Sequence, residues 1–126
     1  MYETYITNET ARLAKEKGFD VPTIGYYIEC SDGWKFRLES PEEGEYNWNE
    51  RAGRSAPTQA VLQTWIRIKY RIHIEIYCNA SGWGYILTKL NGTTIKEIED
   101  DVFFEEPEQA LETGLILALN MNPITT

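Results

Sequence analysis

Ile72-His73-Ile74-Glu75-Ile76-Tyr77-Cys78 alternates three isoleucines with His73, Glu75 and Tyr77, and Ser81-Gly82 then turns the chain into Trp83-Gly84-Tyr85-Ile86-Leu87-Thr88-Lys89-Leu90. A period of two specifies a strand with one buried face and one wet face. Asn91-Gly92 supplies the positive backbone angles of a tight hairpin turn, so a third antiparallel strand is expected over 93–98.

Helical patterns flank this unit. Pro57 is suited to the first turn of a helix running to Tyr70, with Val61, Trp65 and Ile68 on one stripe beside Leu62 and Ile66. Pro107 opens a last helix reaching about Asn120, and Pro123 ends the ordered chain. The order α-β-β-β-α is that of the double-stranded-RNA-binding domain, in topology only. Where that domain carries lysines at the start of its last helix, this chain reads Glu105-Glu106-Pro107-Glu108, which repels phosphate.

Toward the N-terminus, Thr7 or Asn8 caps a helix through Lys17, Gly18 ends it, and Phe19 is placed to fold back on Leu13 and Ala14. A hairpin follows over 24–30 and 34–39, turning at Ser31-Asp32-Gly33. Its second strand alternates Trp34, Phe36 and Leu38 with Lys35, Arg37 and Glu39, which predicts one face packed on the core. Residues 40–56 are rich in Gly, Asn and acids and read as a long, flexible surface loop with Trp48 exposed; the same composition fits disorder. The expected fold is a single α+β domain over 1–126, with antiparallel sheets packed against helices in the order α-β-β-(long loop)-α-β-β-β-α.

Net charge excludes several function classes. Twelve Lys and Arg face 20 Asp and Glu, a balance of -8, so direct nucleic-acid binding is not expected. The longest apolar run, 115–119, is far short of the ~20 residues that span a bilayer, and the N-terminus has no secretory pattern. A cytoplasmic location is expected. Cys30 and Cys78 lack metal-ligand spacing and read as two buried free thiols in preference to a disulfide, and no cofactor motif is present: Gly82-Trp83-Gly84 lacks the remaining features of a nucleotide loop.

His73 is the sole imidazole, so any acid–base scheme runs through it with Glu75 or another carboxylate, yet no nucleophile motif accompanies it. Tyr46 and Trp48 in the loop are candidate binding aromatics. A nucleotide-sequestering pocket would draw on Trp65, Arg67, Tyr70 and Arg71. Glu97, Glu99, Asp100, Asp101, Glu105 and Glu106 form an acidic face that reads first as solvated and otherwise suits a partner with a basic surface, without calcium-loop spacing. In the last helix Leu111, Leu115, Ile116, Leu117, Leu119 and Met121 cover more than one stripe beside the small residues Ala110, Gly114 and Ala118. A helix apolar nearly all round has to be covered nearly all round, either by the N-terminal hairpin and first helix or by a second copy, and a two-fold homodimer through this helix or an exposed sheet edge is the favoured expectation.

Tyr5-Ile-Thr-Asn-Glu-Thr-Ala-Arg-Leu-Ala-Lys-Glu-Lys-Gly-Phe-Asp20, Ala56-Pro-Thr-Gln-Ala-Val-Leu-Gln-Thr-Trp65 with Ile72-His-Ile-Glu-Ile76, and Glu108-Gln-Ala-Leu-Glu-Thr-Gly-Leu115 together resemble blocks of small proteins encoded by gut Bacteroides-type bacteria, their phages and prophages. That group carries no catalytic residues to transfer. The resemblance implies a phage or prophage accessory factor that binds a host protein or a small ligand. A binding protein is therefore the leading expectation, with a small His73 enzyme and a nucleotide sponge as alternatives.

Overall fold

The computed structural model describes residues 3–40, 42–90, 95–99 and 102–122. The chain divides into two compact units, Met1–Thr58 and Gln59–Thr126. Each carries its own antiparallel three-stranded sheet, and the fold class is α+β.

In the first unit, α1 (Asn8–Glu16) is bounded by local chemistry. Thr7 Oγ1 accepts the Thr10 N–H at 3.3 Å, meeting one of the donors a helix start leaves open. At the other end Gly18 takes φ +89°, its N–H donates to Lys15 O, and the Phe19 N–H donates to Ala14 O. This is the Schellman pattern, and it drives the Phe19 ring into the core at 2% exposure.

Strands β1 (Gly25–Cys30), β2 (Gly33–Leu38) and the short β3 (Arg54–Ser55) form a sheet in the order β2-β1-β3. The hairpin register pairs Tyr27 with Phe36 and Glu29 with Trp34 across the Ser31-Asp32 turn. Here the structure corrects the sequence reading. The alternating face of β2 is not packed away: Phe36 is 37% and Leu38 53% exposed. Alternation identifies a face as apolar, but what lies against that face is decided by the rest of the chain.

Residues 42–56 also differ from the expected irregular loop. Thr23 and Tyr46 exchange backbone hydrogen bonds at 2.9 and 3.0 Å, and Lys15 Nζ donates to Gly53 O at 2.9 Å. A 3-10 turn at Trp48–Glu50 sits on an Asn47 side-chain cap, and β3 then pairs with β1. The Gly- and Asn-rich composition serves tight turns and side chain to backbone bonds.

In the second unit, α2 (Gln59–Tyr70), β4 (Ile72–Asn79), β5 (Gly82–Leu90), β6 (Ile95–Glu99) and α3 (Pro107–Leu119) follow the expected order, with the sheet running β4-β5-β6. Pro57 lies before α2 rather than within its first turn, and its carbonyl accepts the Ile6 N–H at 3.1 Å. The helix is also rotated from the expected stripe. Leu62, Trp65, Ile66 and Tyr70 are buried, whereas Val61 and Ile68 are exposed. Arg71 ends α2 at φ +55° and is held there by Leu90, whose N–H donates to Arg71 O at 2.7 Å while its carbonyl accepts Arg71 Nε–H at 3.1 Å.

Helices α2 and α3 pack on the sheet face carrying Ile72 and Ile74 from β4 and Tyr85 and Leu87 from β5. Pro107 stands at the start of α3, where Glu106 and Gln109 form a capping box. The Asn91-Gly92 turn and Pro123 lie outside the described residues.

Gly114 lets α3 approach the sheet closely. A Cβ there would meet Ile74 Cγ2 at 2.9 Å, with Leu87 and Tyr85 behind it. Gly114→Ala gains about 1 kcal/mol of helix propensity but overpacks a site where a branch methyl cannot rotate away, a cost of about 1–3 kcal/mol. We expect a net loss of stability by chemical denaturation. That loss shrinks in an Ile74→Leu background, which removes the offending methyl.

Candidate functional site

The β1–β2 register assigns each side chain of the first sheet to a face, because directly opposed residues point the same way. Tyr27, Trp34, Phe36, Leu38 and Arg54 share one face; Tyr26, Ile28, Lys35, Arg37 and Ser55 share the other.

On the first face the segment before α1 covers part of the surface. Tyr5 meets Phe36 at 5.2 Å between ring centroids, Tyr27 meets Phe36 at 5.3 Å, and Tyr27 Oη donates to Ile6 O at 2.7 Å. Arg54 lays its guanidinium 3.8 Å over the Trp34 ring and donates to Asn8 Oδ1 at 2.9 Å. Phe36 and Leu38 remain open beyond this cover. The result is an aromatic and aliphatic strip along β2.

The same strand offers its backbone. Glu39 N–H donates to Ile24 O, which makes Ile24 and Glu39 a hydrogen-bonded pair. Alternation along the ladder makes Tyr26/Arg37 and Ile28/Lys35 bonded pairs too, so the N–H and C=O groups of Trp34, Phe36 and Leu38 point away from β1. The Ala56 N–H bond to Gly25 O on the opposite side confirms the parity. Among the described residues β2 is an edge strand of its sheet.

On the second face, Trp48 stacks on Tyr26 at 3.9 Å and 17°, touches Tyr46 edge-on at 5.4 Å, and donates from Nε1 to Thr23 O at 2.9 Å. Arg51 lies over both the Tyr46 and Trp48 rings. Trp48 is thus half-buried rather than exposed, because Tyr26 on β1 supplies the surface its polar neighbours in sequence do not. Tyr26 Oη donates to Glu39 Oε1 at 3.0 Å. Glu39 is pulled below the usual carboxylate range by its hydrogen bonds from Glu43 and Tyr26, while Glu43 is pushed up by sharing that bond with Glu39.

Asn49 ties this region down, donating to Phe19 O at 2.9 Å and accepting the Ser55 N–H at 2.8 Å. Ser55 is fully buried, and among the described residues its hydroxyl meets no hydrogen-bond partner. A buried polar group without a partner costs about 1–3 kcal/mol, so Ser55→Ala is expected to leave stability unchanged or raise it by about 1 kcal/mol in denaturant titration.

The second unit does not assemble the other candidates into one site. Trp65 and Tyr70 are buried against each other, ring centroids 6.0 Å apart, and burial raises the Tyr70 phenol above its ordinary range. Neither ring offers a stacking face to a base. Arg67 points to solvent, and Arg71 is engaged with Leu90. His73 and Glu75 lie on the sheet face away from Ile72 and Ile74, opposite Thr88 and Ile86. Glu105 and Glu106 are exposed, with Glu106 occupied in capping α3; Glu97 and Glu99 lie on β6, and Asp100 and Asp101 lie outside the described residues.

A cavity of about 460 Å³ opens between the β4–β5 turn and residues 103–105, lined among others by Cys78, Asn79, Trp83, Phe103 and Phe104. Cys78 is exposed there and Cys30 half-buried, so both thiols are free as expected but neither is buried. Among the described residues no group of three or more His, Cys, Asp or Glu could hold a metal ion. No described helix is long and apolar enough to cross a membrane.

Sequence reasoning missed the open face of β2 because it assigned Trp34, Phe36 and Leu38 to the core. Finding it needed the strand order, which the local pattern does not give. No protein-family model matches the chain, and neither the curated proteins nor the solved structures give a significant match.

Proposed function

We propose that the chain is a non-enzymatic binding protein that engages a protein partner through the open face and free edge of its first sheet, as an accessory factor of a phage or prophage. One observation carries the binding reading. Trp34, Phe36 and Leu38 combine exposed or half-exposed apolar side chains with outward-facing backbone donors and acceptors on one edge strand. Native proteins usually blunt such an edge or cover it, since it is a template for pairing with another chain. The phage setting comes from the resemblance of the sequence blocks and adds context rather than chemistry.

The test is positional. A photo-reactive phenylalanine analogue is placed at position 36 and, separately, at the exposed position 67 of α2, and each protein is irradiated in a lysate of a Bacteroides-type host. Discrete protein adducts from position 36, with none from position 67, are the expected result. Equal labelling at both positions, or none at 36, overturns the reading.

A further inference from the structure

This inference rests on the binding face proposed above and names its ligand class. We infer that β2 accepts an extended peptide segment in which apolar and acidic residues alternate, added as a fourth strand beside β2. Backbone pairing fixes the geometry. Three consecutive outward residues, Trp34, Phe36 and Leu38, offer their N–H and C=O groups, enough to dock a short antiparallel strand.

The side chains then choose the sequence. Residues of the incoming strand opposite Trp34, Phe36 and Leu38 point to the face already holding Tyr5 and Tyr27, where apolar groups extend the aromatic strip. The intervening residues fall opposite Lys35 and Arg37, both exposed on the other face. Lys35 also bridges Asp32 at 3.0 Å, but a bridge this open holds the ammonium only weakly. Two adjacent cations on the free edge of a chain carrying -8 select carboxylates there. A second copy of this chain fits less well: the antiparallel self-pairing that uses all three outward residues sets Lys35 opposite Arg37 of the other copy, and like charges directly opposed destabilise a ladder.

Isothermal titration of the full chain with capped peptides tests this, using one that alternates Val with Glu and one that alternates Val with Lys. We expect the Glu peptide to bind at least about tenfold more tightly at low salt, with the difference narrowing as salt is raised. The double variant Lys35→Glu/Arg37→Glu should reverse the preference. Phe36→Pro, which removes an outward N–H and leaves the β1 ladder intact, should weaken the Glu peptide by about tenfold while circular dichroism stays unchanged. Equal binding of the two peptides, or Phe36→Pro binding like the parent, overturns the inference. Concentration-dependent dimerisation in sedimentation, abolished by Phe36→Pro, overturns it in favour of a second copy. Binding of neither peptide, with position-36 crosslinks still formed in lysate, removes this ligand class and leaves the binding face standing; loss of both removes both.

Discussion

Gly82→Ala unfolds at markedly lower denaturant than the parent, with an expected loss of roughly 3–5 kcal/mol. Two costs combine at this position. Gly82 holds φ +129°, a region that side-chain-bearing residues rarely adopt, and an added Cβ would stand 2.6 Å from Phe104 O. That carbonyl cannot retreat freely, because Trp83 and Phe104 exchange backbone hydrogen bonds at 2.8 Å in both directions. Gly33 supplies the control. It also follows a two-residue hairpin turn, at φ +116°, but nothing lies within 4 Å of its Cβ position. Gly33→Ala therefore carries the backbone cost alone, about 1–3 kcal/mol, and the difference between the variants measures the contact with Phe104. Equal losses would mean that the 103–105 segment does not close on the β4–β5 turn.

The two glycines also mark what the sequence could and could not convey. Ser31-Asp32-Gly33 and Ser81-Gly82 announce their turns, since positive φ has few other occupants, and the isoleucine alternation from Ile72 places β4 without ambiguity. The caps of α1 were equally legible at Thr7 and Gly18, where the bonds are local. Contacts between distant residues were not. Trp48 sits among asparagines and a glutamate in sequence, and the bridge of Thr23 to Tyr46, with the Asn49 bonds to Phe19 and Ser55, brings Tyr26 beneath it. The β2 strip failed in the opposite sense: its pattern is that of a core strand, yet its place at the end of the order β2-β1-β3 leaves it open. Partner strands and sheet edges are set by the whole chain, and local periodicity carries no trace of them.

Trp48→Ala is expected to cost about 2–4 kcal/mol of stability, somewhat below the figure for a fully buried tryptophan because the ring is half-buried. The loss has identifiable parts. The stack on Tyr26 disappears, the edge contact with Tyr46 and the Arg51 cover go with it, and Thr23 O loses the Nε1 donor while keeping the Tyr46 N–H at 3.0 Å. Trp48→Phe keeps a ring on Tyr26 but removes the donor, so it should cost only about 1 kcal/mol. A cycle with Tyr26→Ala should show a coupling of about 0.5–1.5 kcal/mol, the range for an aromatic pair beyond its buried area. The cycle also separates a structural tryptophan from a ligand-contacting one. If Trp48 anchors the 42–56 segment to β1, Trp48→Phe leaves peptide binding at the β2 edge unchanged, and Trp48→Ala weakens it only in proportion to the unfolded fraction. A folded Trp48→Phe protein that no longer binds would instead put the partner on the Tyr26 face and overturn the role proposed for the β2 strip.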